Sequence, residues 1–157
     1  MRRRELEITA RDEQSALLGK GTILHLALVD NGAPYIVPLD YGWDGEHIYV
    51  HCANKGKKLD CIDADNRVAL NVIPHSTLSD IGAADKACDL STWFESVTAF
   101  GRAHRVTDPD ERTHGMLAIL KQHGADHLPY KDMPAAVILR ISVDQITAKR
   151  KTAPAPH

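Results

Sequence analysis

The sequence predicts an α+β domain built mainly on antiparallel β structure, a barrel or a sandwich, and three observations carry that prediction. Successive extended segments are joined by turns too short for anything but antiparallel neighbours, at Asp30-Asn31-Gly32 and at Asp44-Gly45. Helical periodicity is confined to two or three short stretches and does not alternate with strands as a doubly wound βαβ sheet requires. The nearest approach to a dinucleotide fingerprint, Gly19-Lys20-Gly21, precedes a strand instead of opening a helix, and neither a Walker sequence nor a GxSxG elbow occurs.

Size and charge narrow the class further. A chain of 157 residues with 43% hydrophobic content supports one core and is too short for two comfortable ones. Nineteen Lys and Arg against 21 Asp and Glu give a formal charge of −2, so no nucleic-acid partner is expected. No apolar run is long enough to span a bilayer, and Met1-Arg2-Arg3-Arg4 has no apolar signal core behind it, so the expectation is a cytoplasmic protein without membrane contact. Cys52, Cys61 and Cys88 are odd in number and lack CxxC spacing, which argues against a disulfide framework or a zinc knuckle.

In chain order, Thr9 with Asp12 resembles a capping box and predicts a helix over Arg11 to Leu18. Thr22 to Val29 is apolar on nearly every position and reads as a strand covered on both faces. Strands over about Pro34 to Tyr41 and His47 to Ala53 complete a meander. Leu59, Ile62 and Ala64 give a short helical face that stops at Asp65-Asn66, and Arg67 to Ile73 is a strand ended by Pro74. His75 to Leu90 reads as a loop with room for a helical turn, followed by a long strand from Thr92 to about Val106 with a bulge or sharp bend at Gly101. Asp108-Pro109-Asp110-Glu111 is the clearest helix start in the chain; that helix should bury Met116, Leu117 and Leu120 and end at Gly124. A last strand is expected over Ala135 to Val143. The tail from Lys149 is expected to fray, with residues 1–150 as the domain and 151–157 as a flexible end.

The stretch with chemical character begins in the third strand and runs into the helix start behind it: His51, Cys52, then Lys55, Gly56, Lys57 and Lys58. Lysines at a helix start oppose the helix dipole unless an anion neutralises them, and outward N–H groups favour a phosphate. Taken alone, the lysines read better as the solvated face of a short helix than as a phosphate site. His51 is one histidine among nine. His123 and His127 are separated by Gly124, which breaks the helix that would align them, so no metal is assigned.

The order Tyr35-Ile-Val-Pro-Leu39, Ile48-Tyr-Val-His-Cys-Ala53, Gly56-Lys-Lys58 and Asn66-Arg-Val-Ala-Leu70 resembles the flavin-binding split barrels related to pyridoxamine 5′-phosphate oxidase, and is most similar to the 5-nitroimidazole-resistance flavoproteins among them. Segments Trp93 to Ala103 and Ile138 to Thr147 fall where that family has matching strands. The resemblance implies a six-stranded split barrel that dimerises, with FMN, or alternatively FAD, at the subunit interface. It places Val37, Pro38, Leu39 and Tyr41 along the flavin ring edge. His51, Cys52, Gly56, Lys57 and Lys58 fall at its phosphate, and Trp93 and Ser96 come from the strand facing the cofactor, contributed by the partner chain. Two positions depart from the family: Cys52 stands where a hydroxyl is usual, and lysines replace an Arg-Lys pair. The implied activity is flavin-dependent reduction of a small aromatic acceptor such as a 5-nitroimidazole, with His51 as proton donor. A non-catalytic flavin protein for storage or sensing, a colourless dimer with a decayed pocket, and an oxidase are the alternatives. The oxidase is disfavoured because the only Arg-x-His triplet, Arg102-Ala103-His104, lies outside the C-terminal strand.

Overall fold

Seven strands, all paired antiparallel, form one sheet in the computed structural model, which describes residues 3–130 and 136–153. In order the elements are β1 (Glu7–Ile8), α1 (Arg11–Leu18), β2 (Ile23–Asp30), β3 (Ala33–Trp43), β4 (His47–Ala53), α2 (Lys57–Ala64), β5 (Arg67–Leu78), β6 (Thr92–Arg105), α3 (Pro109–Gln122) and β7 (Ala136–Lys151). The strand order is β1-β7-β4-β3-β2-β5-β6, and β6 pairs with β7 as well as with β5, so the sheet closes on itself. Its inner face holds the main core, with Leu24, Leu26, Val50, Val72, Leu139 and Ile141 essentially inaccessible. Helix α1 inserts Leu17 and Leu18 where β2 begins, and α2 inserts Leu59 and Ile62 near where it ends. Helix α3 lies on the outer face of β3, β4 and β7 and makes a second small core with Tyr49, Met116, Ile119 and Ile138.

Local signals of the expected kind shape these elements. Asn31 (φ 49°) and Gly32 (φ 86°) supply the two left-handed residues of the β2–β3 turn, and Asp108 caps α3 by accepting from the Glu111 N–H at 2.8 Å.

Several expectations need correction, each for a tertiary reason. Helix α1 begins after Ala10, with no side-chain cap from Thr9. β2 is buried on one face only; Ile23 and Val29 on the other are exposed, so its apolar run is not the mark of a strand covered twice within this chain. β5 does not end at Pro74, because a register shift between Val72 and His75 carries the proline through a bulge and the strand resumes against β6. The anticipated loop is correspondingly shorter and contains 3₁₀ turns at Ile81–Ala83 and Ala87–Asp89. β7 runs on to Lys151 because its second half pairs with β6, so Lys149 to Lys151 are strand residues and not a frayed tail. Ala135 and residues 154–157 lie outside the described residues. In α3 the buried positions are Gly115, Met116 and Ile119, whereas Leu117 is exposed and Leu120 only half-buried. Gly101 does mark a bulge, with the extra residue, Asp144, on β7: Phe100 faces Gln145 and Gly101 faces Val143. A Cβ at Gly101 would overlap the Ser142 carbonyl oxygen.

Candidate functional site

β3 and β4 stay paired only from Tyr41 opposite Val50 to Trp43 opposite Ile48. Beyond that point they part: Val37, Pro38 and Leu39 pair only with β2, and His51, Cys52 and Ala53 only with β7. The parting leaves one edge of β3 without a strand neighbour, and its backbone groups are available to another partner. A cavity of about 190 Å³ sits by this gap, lined by Tyr35, Cys52, Lys55, Gly56, Lys57 and Lys58 together with Ala53 and Leu59.

The floor of the cavity is the start of α2. Gly56 takes φ 132°, a conformation that needs glycine, and turns the chain from β4 into the helix. Its carbonyl accepts from Leu59 at 2.8 Å and from Asp60 at 3.3 Å. The N–H groups of Lys57 and Lys58 therefore open the helix without an acceptor behind them, and no side chain caps this turn. Leu59 and Ile62, buried in the main core, hold the helix in place.

The three lysines are not equivalent. Lys57 Nζ lies 2.6 Å from Asp30 Oδ2 and 4.9 Å from the centre of the Tyr35 ring, and the Asp30 carboxylate raises its pKa. Lys55 is exposed and Lys58 half-buried. Burial pushes the Cys52 thiol pKa up, while the positive charges of Lys58 and Arg105 work in the opposite direction. Arg105 was not singled out in the sequence. It faces Leu139, which faces Val50, so its side chain falls on the same side of the sheet as Cys52; only this register reveals it. It is held by Asp63 through two hydrogen bonds of 2.9 and 2.6 Å.

The other expected residues disperse. Alternation along β4 turns His51 away from Cys52, to the side where its neighbours Tyr49 and Ile138 pack beneath α3, and its Nδ1 is buried without a hydrogen-bond partner. It does not line the lysine cavity. Val37 and Leu39 point inward against the core, and Pro38 points outward and is exposed. Tyr41, expected among the cofactor contacts, is instead a core residue: it is inaccessible, its hydroxyl donates to the Leu18 carbonyl at 2.5 Å, and burial raises its pKa. Ser96 faces Lys149 on β7, and Trp93 lies under Lys151 Nζ at 4.9 Å. Cys52 faces Val137 on the same strand, so roughly 40 Å of β7 separate the two groups. One chain does not bring Trp93 or Ser96 to the lysines.

A further surface was not anticipated. Ile36, Ala27, Ala69 and Phe100 face one another in a row across β3, β2, β5 and β6 on the outside of the sheet. Ile36 is 63% exposed and Phe100 50%, and Ile23, Val29 and Ile73 extend the same apolar face. Isolated exposed apolar residues are ordinary; here they share one face of the sheet.

A family model described as pyridoxamine 5′-phosphate oxidase matches residues 10–150. Among solved structures, a candidate 5-nitroimidazole antibiotic resistance protein from Bacteroides thetaiotaomicron superposes with a TM-score of 0.78 at 23% identity, covering 92% of this chain and 86% of that one. The flavocytochrome Anf3 from Azotobacter vinelandii gives 0.79 at 20% identity, covering 98% and 73%. A FAD-binding protein from Mesorhizobium loti gives 0.68 at 24% identity, covering 93% and 97%. At these identities the likeness is one of fold. None of the curated proteins matches the chain significantly.

Proposed function

The chain belongs to the pyridoxamine 5′-phosphate oxidase family, and from that premise we propose that it is a split-barrel flavoprotein. In this reading it binds FMN by its phosphate at the β4–α2 junction and reduces a small aromatic acceptor such as a 5-nitroimidazole. The observation that carries the reading is the junction itself: a left-handed Gly56, two open helix N–H groups, and Lys55 and Lys58 around one cavity. That donor set suits a phosphate, through charge-assisted hydrogen bonds and the positive end of the helix. The unpaired edge of Val37 to Leu39, next to the cavity, offers backbone groups to the polar rim of a flavin ring. FAD is the alternative cofactor, supported by the flavin-binding description of one protein of this fold.

A volume of about 190 Å³ takes a phosphoryl group but falls below the roughly 300–1,000 Å³ of pockets that enclose a drug-sized ligand. The ring therefore needs a second wall. The exposed apolar face and the distance of Trp93 and Ser96 from the lysines support a homodimer in which a second copy supplies that wall. When bound, the flavin supplies the redox chemistry. The chain's own residues anchor the phosphate (Lys58 and the Lys57 and Lys58 N–H groups), orient the ring edge (the β3 backbone) and exclude water (the apolar face). His51, with an unpartnered Nδ1, stays in this reading as a proton donor, placed on the other side of β4 from the phosphate.

The test is an absorption spectrum of the purified protein, with identification of the released cofactor by mass. FMN titration should raise Tm with concentration by mass action. Anaerobic reduction followed by a 5-nitroimidazole should restore the oxidised flavin spectrum. A colourless protein whose Tm ignores FMN would sink the flavin assignment; a yellow protein that leaves nitro compounds untouched would leave binding without turnover.

A further inference from the structure

We propose that Asp30 sets how strongly the cavity holds an anion, by withholding Lys57 from it, so that Lys58 supplies the ammonium to the phosphate. The inference rests on the flavin reading above and adds to it a specificity-determining residue outside the cavity lining.

Asp30 is the last residue of β2 and is fixed by the tight turn into β3. Asn31 Nδ2 donates to its Oδ1 at 3.1 Å, which leaves Oδ2 to face Lys57 Nζ at 2.6 Å. The Tyr35 ring lies below the same ammonium. Lys57 is thus held by a carboxylate and an aromatic face, both belonging to the β2–β3 hairpin and neither to a ligand. Arg105, the cation on the opposite flank of α2, is likewise neutralised, by Asp63. Lys58 lines the cavity and has no ion-pair partner among the described residues. Of the cations around this helix, Lys57 and Arg105 have acidic partners, whereas Lys58 and Lys55 have none among the described residues; Lys55 is exposed on the loop before Gly56, and Lys58 is the half-buried one, on the helix itself. An anion that enters meets Lys58 and the helix N–H groups, and finds Asp30 repelling it from the side of Lys57.

The ratio of riboflavin Kd to FMN Kd isolates the phosphate from the ring, because the two ligands share everything else. Both are titrated by flavin fluorescence into the full-length protein, with riboflavin affinity as the check that a variant keeps its fold. Lys58→Ala should lower the ratio by about tenfold or more, the scale of a lost hydrogen bond to a charged group. Lys57→Met should change it by about twofold or less. Asp30→Asn, which keeps the side-chain shape beside Asn31, should raise the ratio several-fold by freeing Lys57, and adding Lys57→Met should cancel that gain. A Lys57→Met variant as impaired as Lys58→Ala, or an Asp30→Asn variant with the wild-type ratio, overturns the role given to Asp30 and leaves the flavin reading intact. A wild-type protein that does not prefer FMN over riboflavin defeats the phosphate assignment itself.

Discussion

His114 on α3 reaches across to the β3–β4 turn, where its Nε2 lies 2.9 Å from Asp44 Oδ2. The other oxygen of Asp44 accepts from the N–H groups of Glu46 and His47 at 2.8 and 2.7 Å, so one carboxylate both shapes the hairpin and ties it to the helix. Tyr49, whose ring meets that of His114 edge-on, has its hydroxyl pKa pushed up to about 12 by burial and by the charges of Asp44 and Glu111. Arg140 closes the group by pairing with Glu111 at 2.9 Å.

Asp44→Ala removes three hydrogen bonds at once and should destabilise the fold by about 1–3 kcal/mol. The loss should depend on pH in a defined direction. Burial raises the pKa of Asp44, but the His47 N–H, the His114 ring and the Glu46 N–H together outweigh it, and the net shift is downward from 3.8. A depressed carboxylate contributes stability that is complete above its unfolded value and fades as pH falls through the folded one. Urea unfolding of wild type and variant should therefore differ fully at neutral pH and converge below pH 3.8. A difference that stays constant across that range would remove the linkage.

Gln122, at the last turn of α3, donates to the carbonyls of Leu18 and Gly21 at 2.8 and 2.5 Å and accepts from the Trp43 N–H at 3.3 Å. The Leu18 carbonyl at the end of α1 is wholly buried and has a second donor in Tyr41. Gln122→Ala should cost about 2–4 kcal/mol and Tyr41→Phe about 1 kcal/mol. Because each donor covers for the other at Leu18, the double variant should lose more than the sum, since only then is that carbonyl buried without a partner. Chemical denaturation of the four proteins gives the coupling; strict additivity would mean that the two donors act independently.

These long-range pairs show what the sequence could and could not disclose. Hairpins were legible because Asn31-Gly32 and Asp44-Gly45 carry their own turn geometry, and α3 was legible from Asp108-Pro109. The Gly56-Lys57-Lys58 junction was visible for the same local reason. The second half of β7 was not, since Gln145 to Lys151 show little apolar alternation and owe their extended form to β6. Pairing also decides which cations carboxylates engage: Asp30 and Lys57 are brought together by the fold, as are Arg105 and Asp63, and no spacing rule links either pair. The apolar run of β2 suits a strand covered on both faces, yet one of its faces is bare in the single chain, and no local signal distinguishes the two cases.

That bare face makes the proposed homodimer testable by mass as well as by flavin affinity. Phe100→Asp places a charge in the row formed with Ala69, Ala27 and Ile36, at a position already half exposed, so the single-chain fold should tolerate it. Light scattering after gel filtration should give twice the chain mass for wild type and the single-chain mass for the variant, whose FMN affinity should fall because the ring loses its second wall. A wild-type monomer, or a variant that remains dimeric, would require another surface to complete the site.

Gly42 sets how closely α3 can approach the sheet. It lies on the outer face of β3 between Tyr41 and Trp43, and a Cβ added there would overlap the backbone of Ala118 and Ile119. Backbone atoms of a packed helix cannot rotate aside as a flexible side chain can, so Gly42→Ala must push α3 outward as a body. That displacement strains the His114 contact to Asp44 and the Gln122 contacts to Leu18 and Gly21, and loosens the small core around Tyr49, Met116 and Ile119. The expected cost is about 1–3 kcal/mol, the range for an overpacked core. It should appear as a lower Tm together with faster amide exchange across residues 109–122, while the β5–β6 pair, which lies outside the strands α3 packs on, keeps its protection. Uniform loss of protection over the whole sheet would show that α3 and the sheet unfold as one unit and that the glycine acts on the global fold.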